Sequence, residues 1–241
     1  VEEAFYDTTE AFNLAEEYQC PVIVLTDLQL SLGKQTVEPL SMDKVEIRRG
    51  KLVTDAIPES ENKAYFKRYE VTADGVSPRV IPGMKNGIHH VTGVEHDETG
   101  KPSESALNRN AQMDKRFRKI ENIRFNTPVY KNTKHEDADV LLVGFNSTRG
   151  VIEEAMVRLE KEGMKVNHAH IRLIHPFPTD EVLPLVRSAK KVVVVENNAT
   201  GQLANIIKMN VGHAEKIIKH LKYDGNPFLP HEVYTKCKEL F

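Results

Sequence analysis

The fold class is decided by residues 138–163, which read ADVLLVGFNSTRGVIEEAMVRLEKEG. The apolar run 140–143 predicts a buried strand, and the polar stretch 144–150 that follows it predicts a turn. After the turn, apolar residues recur every three or four positions, which predicts a helix that ends at Gly163. A buried strand followed by a turn and a helix is the repeating unit of parallel α/β sheets.

The same unit recurs twice further along the chain. Residues 166–174 and Lys191–Glu196 are predicted strands, one helix is predicted to begin at Thr179, and another covers 201–209. Pro230 is suited to the first position of a final short helix. The order β-α-β-α-β-α predicts a parallel α/β domain with right-handed crossovers.

Outside this domain, the sequence predicts one helix–strand unit and a long irregular segment. A helix over 7–18, capped by Asp7, precedes an apolar run at 22–25 that we interpret as a buried strand. Residues 31–135 have few periodic runs apart from a helix at 109–124. The predicted organisation is the end of one domain (1–35), an irregular connecting segment (36–135), the parallel α/β domain (136–213) and a C-terminal tail (214–241).

The composition argues against several classes of protein. The 241 residues carry 33 basic and 35 acidic side chains, so the net charge of -2 gives no reason to expect a nucleic acid or membrane partner. No apolar run approaches the roughly 20 residues of a membrane span, and we expect a cytoplasmic protein. Cys20 and Cys237 lie outside any CxxC motif, which predicts reduced thiols and no iron–sulfur cluster within this chain.

Polar residues follow two of the predicted strands. Asn146, Ser147 and Thr148 lie in the turn after the first strand, and Glu196 and Asn197 lie at the end of the third. Ligands of open α/β sheets bind beyond the carboxyl ends of strands, so the hydroxyls and backbone amides of the first turn are candidates to hold a phosphate or a carboxylate. Glu196 is a candidate buried acid or interface hydrogen-bonding residue, with a solvated turn residue as the alternative. The first turn has neither a GxGxxG nor a GxxxxGK[ST] motif, and the capping of the next helix explains the same residues.

A second group of candidates lies in the irregular segment. Arg79 can pair with a carboxylate or phosphate, and His89, His90, Glu95 and His96 can position polar groups. The spacing of these residues matches no zinc pattern, and no cysteine accompanies them, so no metal site is predicted. Structural hydrogen bonding within the segment is the alternative interpretation.

Two further clusters have mainly structural interpretations. His168 and His170 alternate along a predicted strand, and with His175 they are interpreted as hydrogen-bonded structural histidines. The basic run 115–119, KRFRK, is interpreted as a solvated helix face, with a docking site for an acidic partner as the functional alternative.

Several phrases of the sequence resemble one known family. They are DTTEAFNLAEEYQCPVIVLTD (7–27), DGVSPRVIPG (74–83), HHVTGVEHDETG (89–100), NRNAQMDKRFRKI (108–120), VVVVENNATGQLANII (192–207) and YDGNPF (223–228). In this order they resemble the alpha subunits of 2-oxoacid:ferredoxin oxidoreductases, especially the two-subunit 2-oxoglutarate type. The resemblance implies that residues 1–35 end a thiamine pyrimidine-binding domain and that 136–213 form a transketolase C-terminal-like domain.

The resemblance also implies a reaction and its cofactors. Members of the family convert a 2-oxoacid and CoA to an acyl-CoA and CO2, and they pass two electrons to ferredoxin. Thiamine diphosphate and Mg²⁺ serve the full complex, and the smaller beta subunit binds the diphosphate and carries the iron–sulfur cluster. The implied partners are therefore the beta subunit and ferredoxin, and the sequence leaves open which 2-oxoacid is the substrate.

Val1 is not an initiator methionine, and we expect the chain to be truncated. In this family, the glutamate that activates the cofactor and the arginine-bearing substrate loop lie in the N-terminal part, upstream of Val1. We therefore expect no catalytic residue, no bound cofactor and no activity in this chain alone. Another thiamine-dependent subunit of the transketolase or dehydrogenase type, and a non-catalytic α/β interaction module, are the alternatives.

Overall fold

A computed structural model describes residues 1–59 and 65–241 of the chain. These residues form two compact units. The first unit consists of Val1–Val24 and Gln35–Arg124, and the second consists of Leu25–Lys34 and Phe125–Phe241.

The elements of the described residues are as follows. The helices are α1 (Glu2–Tyr18), α2 (Leu28–Leu32), α3 (Ala106–Glu121), α4 (Thr148–Lys161), α5 (Thr179–Ser188), α6 (Gln202–Val211) and α7 (Pro230–Lys238). The strands are β1 (Leu52–Val53), β2 (Arg79–Val80), β3 (Val129–Asn132), β4 (Val140–Gly144), β5 (Val166–Ile171), β6 (Lys191–Glu196) and β7 (Ile217–Leu221).

The second unit contains a five-stranded sheet in the order β3-β5-β4-β6-β7. Strands β4 to β7 are parallel, and β3 pairs antiparallel with β5, with Val129 opposite Ile171. The predicted α/β class with a mostly parallel sheet is confirmed. The outer strands β3 and β7 lie outside the predicted domain of residues 136–213. The predicted domain boundaries therefore stay a proposal.

The sheet is covered on both faces, which explains why β4 is apolar at every position. Leu141 and Val143 lie in one core with residues of α5 and α6, whereas Val140 and Leu142 lie in the other core with residues of α4 and α7. Burial of each such side chain stabilises the fold by roughly 1.5 to 3 kcal/mol. Cys237 of α7 lies in the second core, where burial raises the pKa of its thiol to about 12.

The first 25 residues of the chain correct two predictions. Helix α1 begins at Glu2, five residues before the predicted cap Asp7, because Glu2 and Glu3 already suit the first turn of a helix. Residues 22–25 do not form a strand, and Ile23 is 80% exposed. Within the described part of the chain no strand pairs with them, and an apolar run cannot form a sheet without a neighbour.

The irregular segment of the first unit is held by polar contacts to α1. Arg48 donates to Glu10 at 2.5 Å and to Glu17 at 2.8 Å. The side chain of Asn13 accepts from the Arg48 amide at 2.9 Å and donates to the carbonyl of Glu46 at 2.9 Å. These contacts add to the short parallel pairing of β1 with β2, which is two residues long.

Helix α3 confirms the helix predicted for this region, although it begins at Ala106, three residues earlier than predicted. Ser105 provides its N-cap by accepting a hydrogen bond from the amide of Asn108.

Candidate functional site

Glu196 ends strand β6, and its fully buried carboxylate caps helix α6. One carboxylate oxygen accepts from the Leu203 amide at 2.7 Å and the Asn198 side chain at 2.8 Å, and the other accepts from the Ala204 amide at 3.0 Å. Both oxygens are thus committed to the first turn of α6, where a negative charge is favourable. The neighbouring candidate Asn197 is exposed.

The turn after β4 is organised by a residue that the sequence analysis did not select. Asp27 accepts hydrogen bonds from both the amide, at 3.0 Å, and the hydroxyl of Ser147, and its other oxygen caps α2 at the Leu30 amide. Thr148 is buried, and its hydroxyl donates to the carbonyl of Phe145 at 2.7 Å. The nearby Asn146 adopts the left-handed conformation, with φ of 53°.

The two turns lie at the same edge of the sheet, because β4 and β6 are parallel neighbours. The predicted position of Ser147, Thr148 and Glu196 at the carboxyl ends of strands is therefore observed. However, the polar groups of these three residues are already bonded within the chain. Among the described residues, the carboxylates at this edge of the sheet cap helices α2 and α6. The use of this edge as a ligand site stays a proposal.

In the first unit, Glu95 is the centre of an ion-pair network. Its carboxylate binds Arg116 through two contacts, of 2.8 and 3.1 Å, and also binds Arg109, with both arginines on α3. The hydrogen bonds from Arg116 lower the pKa of Glu95 to about 2. This acid is therefore ionised and fully paired, and it is not free to exchange protons near neutral pH.

The other candidates of this segment are held in place by their neighbours. Arg79 forms an ion pair with Glu16 of α1. His89 and His96 each place a ring nitrogen 2.8 Å from a nearby backbone carbonyl oxygen, and His90 packs edge-on against Tyr65. Within the described ranges, no group of three or more His, Cys, Asp or Glu side chains could hold a metal ion.

The contribution of Glu95 to stability should depend on acid pH. Its pKa in the folded chain is about 2, against an ordinary value of 4.5, so the unfolded chain binds its proton first as pH falls. We expect Glu95→Gln to lower the free energy of unfolding by on the order of 1 to 3 kcal/mol above pH 4.5. The difference from the original chain should shrink between pH 4.5 and pH 2.

Urea unfolding at a series of pH values measures this difference. Glu104→Gln is the matched control, because Glu104 is exposed and forms no ion pair among the described residues. A pH-independent difference for Glu95→Gln would show that the ion pairs with Arg109 and Arg116 do not stabilise the fold.

The interpretation of His168 as hydrogen-bonded is wrong. Its ring is fully buried, and neither ring nitrogen has a hydrogen-bond partner among residues 1–59 and 65–241. Burial, with smaller contributions from His170 and Arg149, lowers the pKa of His168 to about 3. The ring is therefore neutral at physiological pH and packs as a core side chain, 5.7 Å from the ring of His170.

The comparisons with known proteins agree over nearly the whole chain. Residues 1–115 match the family model of the pyruvate flavodoxin/ferredoxin oxidoreductase thiamine-diphosphate-binding domain, and residues 138–233 match core domain II of pyruvate:ferredoxin oxidoreductase. The 2-oxoacid:ferredoxin oxidoreductase 2 subunit alpha of Aeropyrum pernix is 38% identical, covering 99% of this chain and 36% of that protein. The chain belongs to the family of 2-oxoacid:ferredoxin oxidoreductase alpha subunits.

A solved structure of this oxidoreductase family has the same fold. The 2-oxoglutarate:ferredoxin oxidoreductase of Magnetococcus marinus, solved with 2-oxoglutarate, coenzyme A and succinyl-CoA bound, superposes with a TM-score of 0.88 at 34% identity. The match covers 99% of this chain and 40% of that one. The 2-oxoglutarate synthase subunit KorA of Methanothermobacter marburgensis is 31% identical over 98% of this chain and 60% of its own length. The chain thus spans between about a third and three fifths of the length of these relatives.

Two further observations concern membrane-spanning helices and the cysteines. No helix in the described parts of the chain is both long and apolar enough to cross a membrane. Cys20 is half-buried, Cys237 is buried, and neither forms a disulfide bond among the described residues.

Proposed function

We propose that this chain is part of the alpha subunit of a thiamine-diphosphate-dependent enzyme that oxidises 2-oxoglutarate. The reaction converts 2-oxoglutarate and CoA to succinyl-CoA, CO2 and a proton, and ferredoxin accepts the two electrons. The observation that carries the proposal is the TM-score of 0.88 to an oxidoreductase that was solved with this oxoacid and this acyl-CoA bound. The match to 2-oxoglutarate synthase subunits supports the same substrate.

Thiamine diphosphate, when bound, supplies the electron sink for decarboxylation. The two candidate carboxylates of this chain do not fit the role of the acid that activates it. Glu95 is paired with two arginines and Glu196 caps α6, so neither carboxylate is free to activate the cofactor. We therefore propose that the smaller beta subunit and other parts of the enzyme bind the diphosphate and Mg²⁺, and that the beta subunit carries the iron–sulfur cluster.

The part played by this chain is then to position other groups. We propose that the chain contributes scaffolding for the active site and for the interface with the beta subunit, and that the chain alone has no activity. The free thiols agree with a location in the reducing cytoplasm.

Viologen reduction tests the proposed function. The complete alpha subunit, co-expressed with the neighbouring smaller subunit and supplied with thiamine diphosphate and Mg²⁺, should reduce viologen only when 2-oxoglutarate and CoA are both present. Pyruvate in place of 2-oxoglutarate should give at least tenfold lower kcat/KM, a difference of roughly 1.4 kcal/mol. No reduction with any oxoacid, from a complex that carries its cluster, would contradict the proposal, and reduction of NAD would favour another thiamine enzyme.

The same assay tests the proposed contacts of Arg79, His89, His90 and His96 with substrate, CoA or the partner subunit. Arg79→Ala and His96→Ala in the assembled enzyme distinguish such contacts from a purely structural role of these side chains. A raised KM with unchanged kcat supports contact with a substrate, whereas unchanged kinetic constants remove these residues from the site.

A further inference from the structure

A cavity of about 230 Å³ lies within the first unit. Its walls come from α3, from residues 68–77, from His96 and from the end of α1, and four of the side chains that line it are cationic. They are Arg68, Lys115, Arg116 and Lys119. The cavity is smaller than the roughly 300 to 1,000 Å³ of pockets that enclose drug-sized ligands, so it suits a small ion.

Three of these four cations have no anionic partner among residues 1–59 and 65–241. Arg116 is bound to Glu95, but Arg68, Lys115 and Lys119 form no ion pair with a carboxylate in the part of the chain that the structure describes. The carboxylate of Glu98 attracts Lys115 only from a longer distance and is itself bonded to Lys67. Since the whole chain has a net charge of -2, this positive cluster is not the result of a general excess of basic residues.

These three cations keep hydrogen-bond donors that no described residue accepts from. Lys115 is only 6% exposed, and its ammonium donates to the Tyr69 carbonyl at 2.7 Å and to the Ser77 hydroxyl at 3.1 Å, which leaves one proton. Lys119 donates one hydrogen bond, to the carbonyl of Gln19 at 3.3 Å. The guanidinium of Arg68 lies 5.3 Å from the Tyr69 ring and makes no side-chain hydrogen bond among the described residues.

The positive cluster is also electrostatically unfavourable in the absence of an anion. Burial, and then the neighbouring charges of Arg116, Lys119 and Arg68, lower the pKa of Lys115 to about 8. Burial likewise lowers the pKa of Arg68 and of Lys119. A bound anion would remove this mutual repulsion.

A fifth side chain of the cavity adds an unsatisfied acceptor. Gln112 is 0% exposed, and its amide nitrogen donates to the Tyr69 carbonyl at 3.1 Å. This bond fixes the orientation of the amide, because a flipped amide would place its oxygen against the carbonyl oxygen of Tyr69. The Oε1 atom of Gln112 is therefore a buried acceptor, and it has no donor among the described residues.

We propose that this cavity is a binding site for inorganic phosphate in its monohydrogen form. Arg68, Lys115 and Lys119 bind the charged oxygens, and the single hydroxyl of the ion donates to Oε1 of Gln112. Sulfate has the same shape and charge but no proton, so it leaves this acceptor unsatisfied. The dianion of a phosphate monoester lacks the proton as well, and the site therefore discriminates against both.

Calorimetric titration of the 241-residue chain at pH 7.5 and constant ionic strength tests the proposal. The probes are inorganic phosphate, sulfate and glycerol 3-phosphate. We expect phosphate to bind at one site, with sulfate and glycerol 3-phosphate weaker by roughly tenfold, as for a lost hydrogen bond to a buried acceptor. Absence of phosphate binding, or equal binding of all three anions, overturns the proposal.

Three variants locate the site. Lys115→Met and Lys119→Met should each weaken phosphate binding by roughly tenfold or more, and Gln112→Met should make phosphate and sulfate bind equally. Lys85→Met is the control, because Lys85 is exposed in the same unit and the change in net charge is identical. If Lys85→Met weakens binding as much as Lys115→Met, the proposal is wrong. The titration needs neither the beta subunit nor the oxoacid, so its outcome is independent of the viologen assay.

Discussion

Gly75→Ala should destabilise the first unit by roughly 2 to 4 kcal/mol, from overpacking and from backbone strain. Gly75 has a φ of 83°, and a Cβ added to it would lie 2.4 Å from the backbone nitrogen of Lys119 and 2.5 Å from the carbonyl oxygen of Lys115. These are backbone atoms of α3, which cannot rotate away as a side chain can. The helix must therefore move away from the loop, and the polar contacts around Lys115 are lost with it.

Gly83 provides a control that separates the backbone strain of a positive φ from the steric overlap of a new Cβ with α3. Gly83 has nearly the same φ, 86°, but a Cβ added there would have no atom within 4 Å. Gly83→Ala should therefore cost only the strain of the left-handed conformation, roughly 1 kcal/mol. Urea unfolding followed by circular dichroism measures both variants. Equal losses for Gly75→Ala and Gly83→Ala would show that the close approach of α3 is not important for stability.

Glu196→Ala should destabilise the second unit by roughly 2 to 4 kcal/mol. The substitution removes the acceptor for two backbone amides, of Leu203 and Ala204, and both amides are buried at the start of α6. It also leaves Asn198 without its carboxylate partner. Hydrogen exchange should report the change directly, because the amides of Leu203 and Ala204 lose their protection before those of β6.

Two comparisons test this explanation of Glu196. Asn197→Ala changes an exposed neighbour in the same turn and should leave stability within about 0.5 kcal/mol of the original. Glu196→Gln keeps the shape but presents an amide group to one backbone donor, and it should lose roughly half as much stability as Glu196→Ala. Full stability in Glu196→Ala, combined with lost activity of the assembled enzyme, would instead indicate a catalytic role.

Sequence reasoning was most accurate where a strand is buried on both faces. The bounds of β6, Lys191–Glu196, were predicted correctly because four consecutive valines leave little other choice. The outer strands β3 and β7 were not predicted, because Lys131, Lys219 and His220 interrupt their apolar residues. Residues 22–25 show the opposite error, since they were predicted as a strand and form none. An apolar run does not by itself determine whether a neighbouring strand is available to pair with it.

The chemistry of the candidate residues was harder to predict than their positions. Glu196 lies at the end of a strand as predicted, but only the structure shows that its oxygens accept from α6. The interpretation of the run 115–119 as a solvated face is wrong for Lys115, which is buried beside the Tyr69 carbonyl. One signal was available, because Gln112, Lys115 and Lys119 have the spacing of a single helix face.

Each compact unit is built from two separate stretches of chain, and the chain passes between the units three times. The hydrogen bonds between Asp27 and Ser147 connect residues 120 positions apart, although both belong to the second unit. If two related genes recombined near residue 125, the product would inherit the whole sheet from one parent and Leu25–Lys34 from the other. A single crossover there would separate the two partners of this contact, so the product would keep it only if one parent supplies Asp27 and the other supplies Ser147.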